Sequence, residues 1–300
     1  MTVTVSASAP AIAPFRFFDL RVVRSRRLGH SLVRITFGGE ELKDFAAGGY
    51  DQSLSLFLPH PHQDAPVVPV EEGDGWFAAW RALPEDERAV MRSYTCREQR
   101  REPQDEVDID FALHGTETSA AAAAGGPASR WAGRAVAGDQ VLVLGPAVAD
   151  NTAVRFRPPQ DTDWVLLFAD ETALPAAAAI LDRMPRDRKV RAWIEIPHAD
   201  DRIVLPTLAD ADITWIVRNS GDRTQRVLDA VRAAELPDGT PYAWIAGESG
   251  TVRALRRHLV QERGIDRRSV TFVGYWRLGL SEEQLLAQAL SGEAPSDDQI

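Results

Sequence analysis

Residues 164–169 read WVLLFA, an uninterrupted apolar run that predicts a strand buried on both faces of a sheet. Three polar residues, Asp170, Glu171 and Thr172, separate this run from a helical segment at Ala173–Arg183. Such an alternation of strands and helices predicts a doubly wound parallel sheet, which binds its ligands at the carboxyl ends of the strands. The pattern continues with apolar runs at 190–196, 213–217, 242–246 and 270–274, and with helical segments at Arg223–Ala233 and Gly250–Glu262.

The first half of the chain has a different pattern, in which apolar and polar residues alternate between glycines and prolines. This period of two predicts an antiparallel sheet with one wet face, here a small β-barrel. The stretch Gly75–Arg92 predicts a short helical excursion packed on the barrel, because four large apolar residues followed by Pro84 have a helical spacing: Trp76, Phe77, Trp80 and Leu83. We place the barrel domain at residues 15–157 and the α/β domain at 158–290. The predicted barrel strands are Phe15–Ser25, His30–Gly38, Ser53–Leu58, Val107–His114 and Gln140–Leu144.

Composition excludes several classes of protein. The single Cys96 excludes an intramolecular disulfide framework and an all-cysteine metal or iron–sulfur site. A net charge of −10 disfavours binding to nucleic acid or to an anionic membrane surface. The six histidines show no metal-ligand spacing, so we predict no metal site. We find no targeting segment or membrane span and expect a cytoplasmic protein.

The stretch Arg92-Ser93-Tyr94-Thr95-Cys96-Arg97 carries side chains suited to a planar, phosphorylated cofactor. Strand alternation puts Arg92, Tyr94 and Cys96 on one face, and Ser93, Thr95 and Arg97 on the other. A guanidinium can bind a pyrophosphate, an aromatic ring can lie against a planar ring system, and a threonine can hydrogen-bond a ring nitrogen. A surface strand with two solvated arginines would give the same pattern.

Five other segments have weaker signals. Gly126–Ala132 predicts a tight turn opening a helix, where phosphate could meet exposed amides, although an ordinary helix start looks the same. His114-Gly115, at a strand end, is equally ambiguous. Asp170 or Thr172 is expected to cap the helix that follows. Gly247-Glu248 and Gly274–Arg277 also follow strands, so these strand ends face one crevice.

Taken in order, these segments resemble the siderophore-interacting protein family, flavin-dependent ferric-siderophore reductases built like ferredoxin–NADP reductases. The resemblance implies an antiparallel Greek-key barrel that binds FAD, an α/β domain that binds NADH or NADPH, and a ferric siderophore as electron acceptor. It implies no catalytic acid or base, because the flavin carries the electrons. The segments that match are 92–97, 110–115, 126–132, 170–175, 246–248 and 274–277.

The same resemblance implies roles for particular residues. It assigns the isoalloxazine and phosphates of FAD to β-strand residues, the flavin lining to His114 and Gly115, and the pyrophosphate to Ala128 and Ser129. The β-strand residues are Arg92, Ser93, Tyr94, Thr95 and Arg97. The cofactor-binding residues expected in the second domain are Asp170, Thr172, Ala173, Gly247, Glu248, Tyr275 and Trp276.

The chain departs from the family pattern at three positions where family members commonly carry basic residues. Ser55, Ala147 and Thr271 stand there, so we expect a less anionic chelate, such as a hydroxamate, or other cations. The candidate cations are Arg277, Lys43 and Arg130.

Two more departures concern the loop and the nucleotide. The segment Thr116–Gly125 is longer than usual, and we interpret it as a neutral insertion. Glu195 lies at the end of the second parallel strand, and Asp200 and Asp201 follow it. These carboxylates favour a ribose hydroxyl over a 2′-phosphate, hence NADH.

Two other functions stay open at this point. One is a general NAD(P)H:flavin oxidoreductase with a different acceptor, and the other is a non-catalytic carrier of iron chelates. A ferredoxin is a possible electron donor, and we expect a monomer.

Overall fold

The computed structural model describes residues 13–113, 126–219, 221–280, 284, 285 and 288. Their first half forms an antiparallel sheet of seven strands in the order β4-β3-β7-β1-β2-β6-β5. The sheet curls, so that Tyr94 of the edge strand β4 packs on Phe111 of β6 with ring centroids 4.4 Å apart. The strands are β1 (Phe15–Arg27), β2 (Leu32–Gly38), β3 (Ser53–Leu58), β4 (Val90–Thr95), β5 (Glu98–Arg100), β6 (Glu106–Ala112) and β7 (Gln140–Pro146).

The alternating sequence of β1 explains how this sheet builds a core. Phe18, Leu20 and Val22 are buried, whereas Asp19 and Arg21 between them are exposed. Successive side chains of a strand point to opposite faces, so one face of the curled sheet encloses apolar residues. The predicted antiparallel barrel architecture is confirmed as this incompletely closed form.

The predicted short helical excursion within Gly75–Arg92 is confirmed. Helix α1 covers Trp76–Ala82, and Leu83 is already extended. Pro84 explains this end, because a proline disfavours helical geometry at the residue before it. The helix does pack on the sheet, with the Trp76 ring 5.6 Å from that of Phe57.

An ion pair on this sheet makes stability dependent on pH. Both guanidinium nitrogens of Arg24 donate to the Glu106 carboxylate over 2.7 Å. These hydrogen bonds lower the pKa of Glu106 to about 2. The pKa is higher in the unfolded chain, so the stabilisation is complete above about pH 4.5 and is lost as the pH falls towards 2.

We expect Glu106→Gln to lower the free energy of unfolding at pH 7 and much less at pH 2.5. Urea unfolding of the variant and the wild type between pH 2.5 and pH 7 tests this prediction. A difference in unfolding free energy that does not change with pH would contradict it.

The second half of the chain forms a parallel sheet in the order β10-β9-β8-β11-β12. Alternate side chains of β8 enter two different cores, one shared with α3 and the other with α4 and α5. Helices therefore cover both faces, which confirms the doubly wound fold. The elements are β8 (Trp164–Ala169), α3 (Leu174–Asp182), β9 (Lys189–Ile196), β10 (Asp210–Val217), α4 (Arg223–Ala233), β11 (Pro241–Glu248), α5 (Ser249–Arg257) and β12 (Val270–Trp276), with α2 (Pro127–Ala132) in the first half.

Polar contacts join the two halves. The indole Nε1 of Trp244 donates to Asp51 over 2.9 Å, and the amide of Ser31 donates to Asp201 over 2.6 Å.

The strand order of the parallel sheet reverses between β8 and β11, and ligands of such sheets bind outside the carboxyl ends of the strands at this point. The domain limits at residues 157 and 158 stay a prediction. No helix among the described residues has the length and apolarity required to cross a membrane.

Candidate functional site

A cavity of about 340 Å³ lies where the two halves of the chain meet. Its walls come from β4, from the start of α2, and from the carboxyl ends of β8 and β12. A larger cavity of about 860 Å³ adjoins it, and both are lined by Arg92, Ser93 and Tyr275. The predicted site residues on the smaller cavity are Arg92, Ser93, Tyr94, Thr95, Ala128, Ser129, Thr172, Tyr275 and Trp276.

Strand β4 supplies four consecutive residues to this wall, Arg92 to Thr95. Because β4 is an edge strand, a ligand can reach side chains from both of its faces. Arg92 donates from Nη1 to the carbonyl of Met91 over 2.8 Å, and Thr95 is buried. A guanidinium, a phenol ring and a buried hydroxyl thus lie together, which is the donor set that FAD requires.

The other two residues of the motif lie elsewhere. Arg97 pairs with Asp182 at the end of α3, with 2.6 Å between nitrogen and oxygen, and it does not line either cavity. Strand β4 ends at Thr95, so the alternation that grouped Arg97 with Thr95 does not reach it. Cys96 is buried in the barrel core, and burial raises the pKa of its thiol to about 12. It is therefore not a nucleophile at neutral pH.

Helix α2 begins at Pro127, as the turn at Gly126 predicted, and brings Ala128 and Ser129 to the cavity. His114, Gly115 and the segment Thr116–Gly125 lie outside the described residues. Their expected contact with the flavin stays a prediction.

Asp170 is fully buried at the switch point of the second sheet. Its Oδ1 accepts from the amides of Thr172 and Ala173 over 2.9 and 3.2 Å, in the turn that precedes α3. The carboxylate bonds no amide of the helix itself, so the prediction that Asp170 caps this helix is wrong. Its Oδ2 accepts from the amide of Glu248 and from the indole Nε1 of Trp276, both over 2.8 Å. Asp170 is thus occupied by the protein itself.

Two more buried carboxylates and two arginines complete this network, which we call the edge network: Asp170, Glu171, Glu195, Arg218 and Arg223. Arg218 pairs with Glu171 and Glu195, and Arg223 pairs with Asp170 and Glu195. Burial raises the pKa of Glu195 despite the two arginines. The edge network fills the place where a dinucleotide fold commonly receives a pyrophosphate.

Three predicted nucleotide-binding residues consequently serve the protein's own structure. Ala173 and Gly247 are buried, and a Cβ on Gly247 would lie 2.6 Å from the Asp170 side chain, which only glycine avoids. Glu248 accepts from the amide of Thr251 over 2.8 Å and so caps α5. Three of the predicted nucleotide-binding residues do line the smaller cavity: Thr172, Tyr275 and Trp276.

The expectation of NADH loses its structural basis. Glu195 belongs to the edge network. Asp201 is buried, and its carboxylate accepts a hydrogen bond from the amide of Ser31. Only Asp200 of the three carboxylates is exposed. Sequence position placed them after a strand, but neighbouring elements determine which of them meet solvent.

The edge network also holds the aromatic end of β12. Asp170 accepts from the Trp276 indole, and the Arg223 guanidinium lies 5.0 Å from the Trp276 ring centroid. Burial raises the pKa of the neighbouring Tyr275, so this side chain is a neutral phenol. Trp276 is therefore a fixed aromatic wall opposite β4.

The candidate cations are divided between the cavities and the outer surface. Arg130 lines the larger cavity, whereas Lys43 and Arg277 line neither. Sequence reasoning missed Arg155, which lines the smaller cavity beside Asp51 and Ser53. Arg155 lies outside the strands and helices, so no periodic pattern could single it out.

Comparisons with known proteins agree with this geometry. A model described as siderophore-interacting FAD-binding domain matches residues 21–150, and one described as siderophore-interacting protein matches 162–279. The ferric vibriobactin reductase ViuB of Vibrio cholerae is 29% identical over 266 residues, covering 88% of this chain and 90% of the relative. The NADPH-dependent ferric-chelate reductase of Escherichia coli is 31% identical over 268 residues, covering 87% and 93%.

A solved structure gives the same result at the level of the fold. The siderophore-interacting protein SipS from Aeromonas hydrophila matches with a TM-score of 0.72 and 30% identity, covering 94% of this chain and 99% of that one. Apart from Ala153 and Arg155, the residues that line the smaller cavity lie in segments that the family models match. The chain belongs to the siderophore-interacting protein family, and its curled antiparallel sheet is the family's FAD-binding domain.

Proposed function

We propose that this chain is a flavin-dependent ferric-siderophore reductase. FAD, when bound, would supply the redox chemistry by which one hydride from NAD(P)H reduces two chelated Fe(III) ions, one electron each, to give NAD(P)⁺, a proton and two Fe(II). The observation that supports this function is that both domains line one cavity. The FAD-binding domain contributes Arg92–Thr95, and the second domain contributes Thr172, Tyr275 and Trp276. Names of the Vibrio and Escherichia relatives support the ferric chelate as acceptor.

The residues of this chain bind and orient the reactants. Arg92 and Ser129 would hold the FAD phosphates, and Tyr94 and Thr95 would hold the ring system. Trp276, fixed by Asp170, would limit how a nicotinamide enters the cavity. Reduction of Fe(III) to Fe(II) weakens the hold of hard oxygen ligands, so iron release follows from electron transfer.

NADPH is the donor that we propose. The name of the Escherichia relative supports it, and two of the carboxylates that favoured NADH are buried. This donor places the reaction in the cytoplasm. Ferredoxin as an alternative donor and a monomeric state stay predictions.

Anaerobic reoxidation of the flavin tests the function. The FAD-loaded protein is reduced with one equivalent of NADPH and mixed with a ferric trihydroxamate, while flavin absorbance and trapped Fe(II) are recorded. We expect the flavin spectrum to return as two Fe(II) appear per NADPH. Reoxidation by quinone or oxygen but by no ferric chelate would instead indicate a general oxidoreductase. A protein that does not take up FAD would indicate a carrier.

A further inference from the structure

The cavity between the domains contains one arginine that the proposed cofactor contacts do not use. Arg155 lies in the segment between β7 and β8 and lines the smaller cavity with Ser53 and Tyr275. Its side chain is exposed. No hydrogen bond or ion pair joins its guanidinium to any residue that the structure describes.

The backbone of Arg155, in contrast, is held firmly. Asp51 accepts from the amides of Arg155 and Phe156 over 3.0 and 2.9 Å, and from the indole of Trp244 over 2.9 Å. Asp51 is buried, so its charge is used on these three donors. The arrangement fixes the main chain at the cavity wall and leaves a cationic side chain available to a ligand.

Arg155 lies at the opposite end of the cavity from the phosphate-binding residues. Ser53 pairs with Thr95 in the β3–β4 register, and Leu56 pairs with Arg92. Three residues of strand separate the two ends by about 10 Å. The amide of Ser53 donates to the carbonyl of Ala153 over 2.9 Å, which joins the Arg155 segment to the Thr95 end. Arg155 therefore lines the cavity at its Thr95 end.

The charges around Arg155 favour a ligand of low negative charge. The other acidic lining residue, Asp110, accepts from two nitrogens of Arg34 over 2.7 and 2.8 Å, so it does not neutralise Arg155. Thr271, where a basic residue was expected, bonds instead to the Tyr242 hydroxyl over 2.7 Å. All lysines and arginines of the chain fall within the described residues. Of those lining the smaller cavity, Arg155 is the cation at the Thr95 end.

We propose that Arg155 binds ligand oxygens of the ferric chelate and, as the lone cation at that end of the described cavity, selects chelates of zero or one negative charge. The inference rests on the proposed function. A ferric trihydroxamate is neutral and a ferric tris-catecholate carries three negative charges. One guanidinium on a protein of net charge −10 compensates one such charge, and the remaining two are repelled.

Gallium complexes test binding separately from reduction, because Ga(III) has the charge of Fe(III) and does not accept electrons here. The probes are a neutral gallium trihydroxamate, gallium–EDTA with one negative charge, and a gallium tris-catecholate with three. Each is titrated into the FAD-loaded protein, with flavin fluorescence as the readout. The variants are Arg155→Gln, Arg155→Lys and, as a matched loss of one exposed cation on α5, Arg257→Gln.

We expect Arg155→Gln to weaken gallium–EDTA binding about tenfold and trihydroxamate binding less than about threefold, as for loss of one charge-assisted contact. Arg155→Lys should restore most of the affinity, and Arg257→Gln should match the wild type. The tris-catecholate should bind the wild type no more tightly than gallium–EDTA does.

Three results would overturn the inference: equal gallium–EDTA affinity in Arg155→Gln and wild type, equal losses in Arg155→Gln and Arg257→Gln, or tris-catecholate binding at least tenfold tighter than gallium–EDTA. Failure of the proposed function has a different signature, since reduced wild-type flavin would then not be reoxidised by any ferric chelate.

Discussion

Replacement of Arg92 by glutamine is expected to weaken FAD binding by roughly 30- to 100-fold. Among the described residues, Arg92 is the charged side chain that lines both cavities. Residues of α2 line both cavities as well. Charge-assisted hydrogen bonds to phosphate contribute about 2–3 kcal/mol, and about 1.4 kcal/mol corresponds to a tenfold change in affinity. Titration of the apoprotein with FAD at fixed ionic strength measures the change.

Arg97→Gln is the matched control, because it removes the other arginine of the same motif. Arg97 pairs with Asp182 outside the cavities, so its loss should change FAD affinity by less than about threefold. Equal losses of affinity in Arg92→Gln and Arg97→Gln would contradict the positions of the two side chains. A wild-type affinity in Arg92→Gln would contradict the phosphate site itself.

Replacement of Asp170 by alanine is expected to lower the free energy of unfolding by about 3–5 kcal/mol. The substitution leaves Arg223 without one of its three carboxylates and deprives the amides of Thr172 and Ala173 of their side-chain acceptor. It also leaves the Glu248 amide and the Trp276 indole without their acceptor. Unpaired buried donors cost about 1–3 kcal/mol each, and relaxation keeps the sum below full additivity.

Urea unfolding of the apoprotein followed by circular dichroism measures this loss. Asp200→Ala is the control, since Asp200 is exposed, and it should change the stability by less than about 0.5 kcal/mol. Asp170→Asn keeps an acceptor for the amides of Thr172 and Ala173 and should fall between wild type and alanine. A loss of less than about 1 kcal/mol in Asp170→Ala would show that the edge network does not depend on its central carboxylate.

Much of the fold follows from periodicity along the chain. Continuous apolar runs such as 164–169 belong to strands covered on both faces, and the alternation around Phe18–Val22 belongs to a sheet with one wet face. The motif Arg92–Thr95 and the turn at Gly126 likewise lie on the site, because short segments keep their local geometry when the chain folds. Boundaries were harder to predict, as β1 shows by extending to Arg27, two residues beyond its predicted end at Ser25.

The role of individual charged residues could not be predicted in this way. Arg97 and Glu195 have the side chains that their predicted roles require. In the folded chain, however, Arg97 pairs with Asp182 and Glu195 pairs with Arg223, and both partners come from other segments. Arg155 has no pattern around it, and its position results from hydrogen bonds to Asp51, more than one hundred residues earlier in the chain.

The two architectures, the family and the strand predicted to bind the flavin follow from the amino-acid sequence, because they depend on local spacing and side-chain chemistry. Which charges are available to a ligand depends on how the chain folds. Pairing and burial are set by contacts between residues far apart in sequence, and a buried carboxylate is stable only with its partners. For this reason Asp170 and Glu195 serve the edge network, whereas the guanidinium of Arg155 is left for the chelate that we propose.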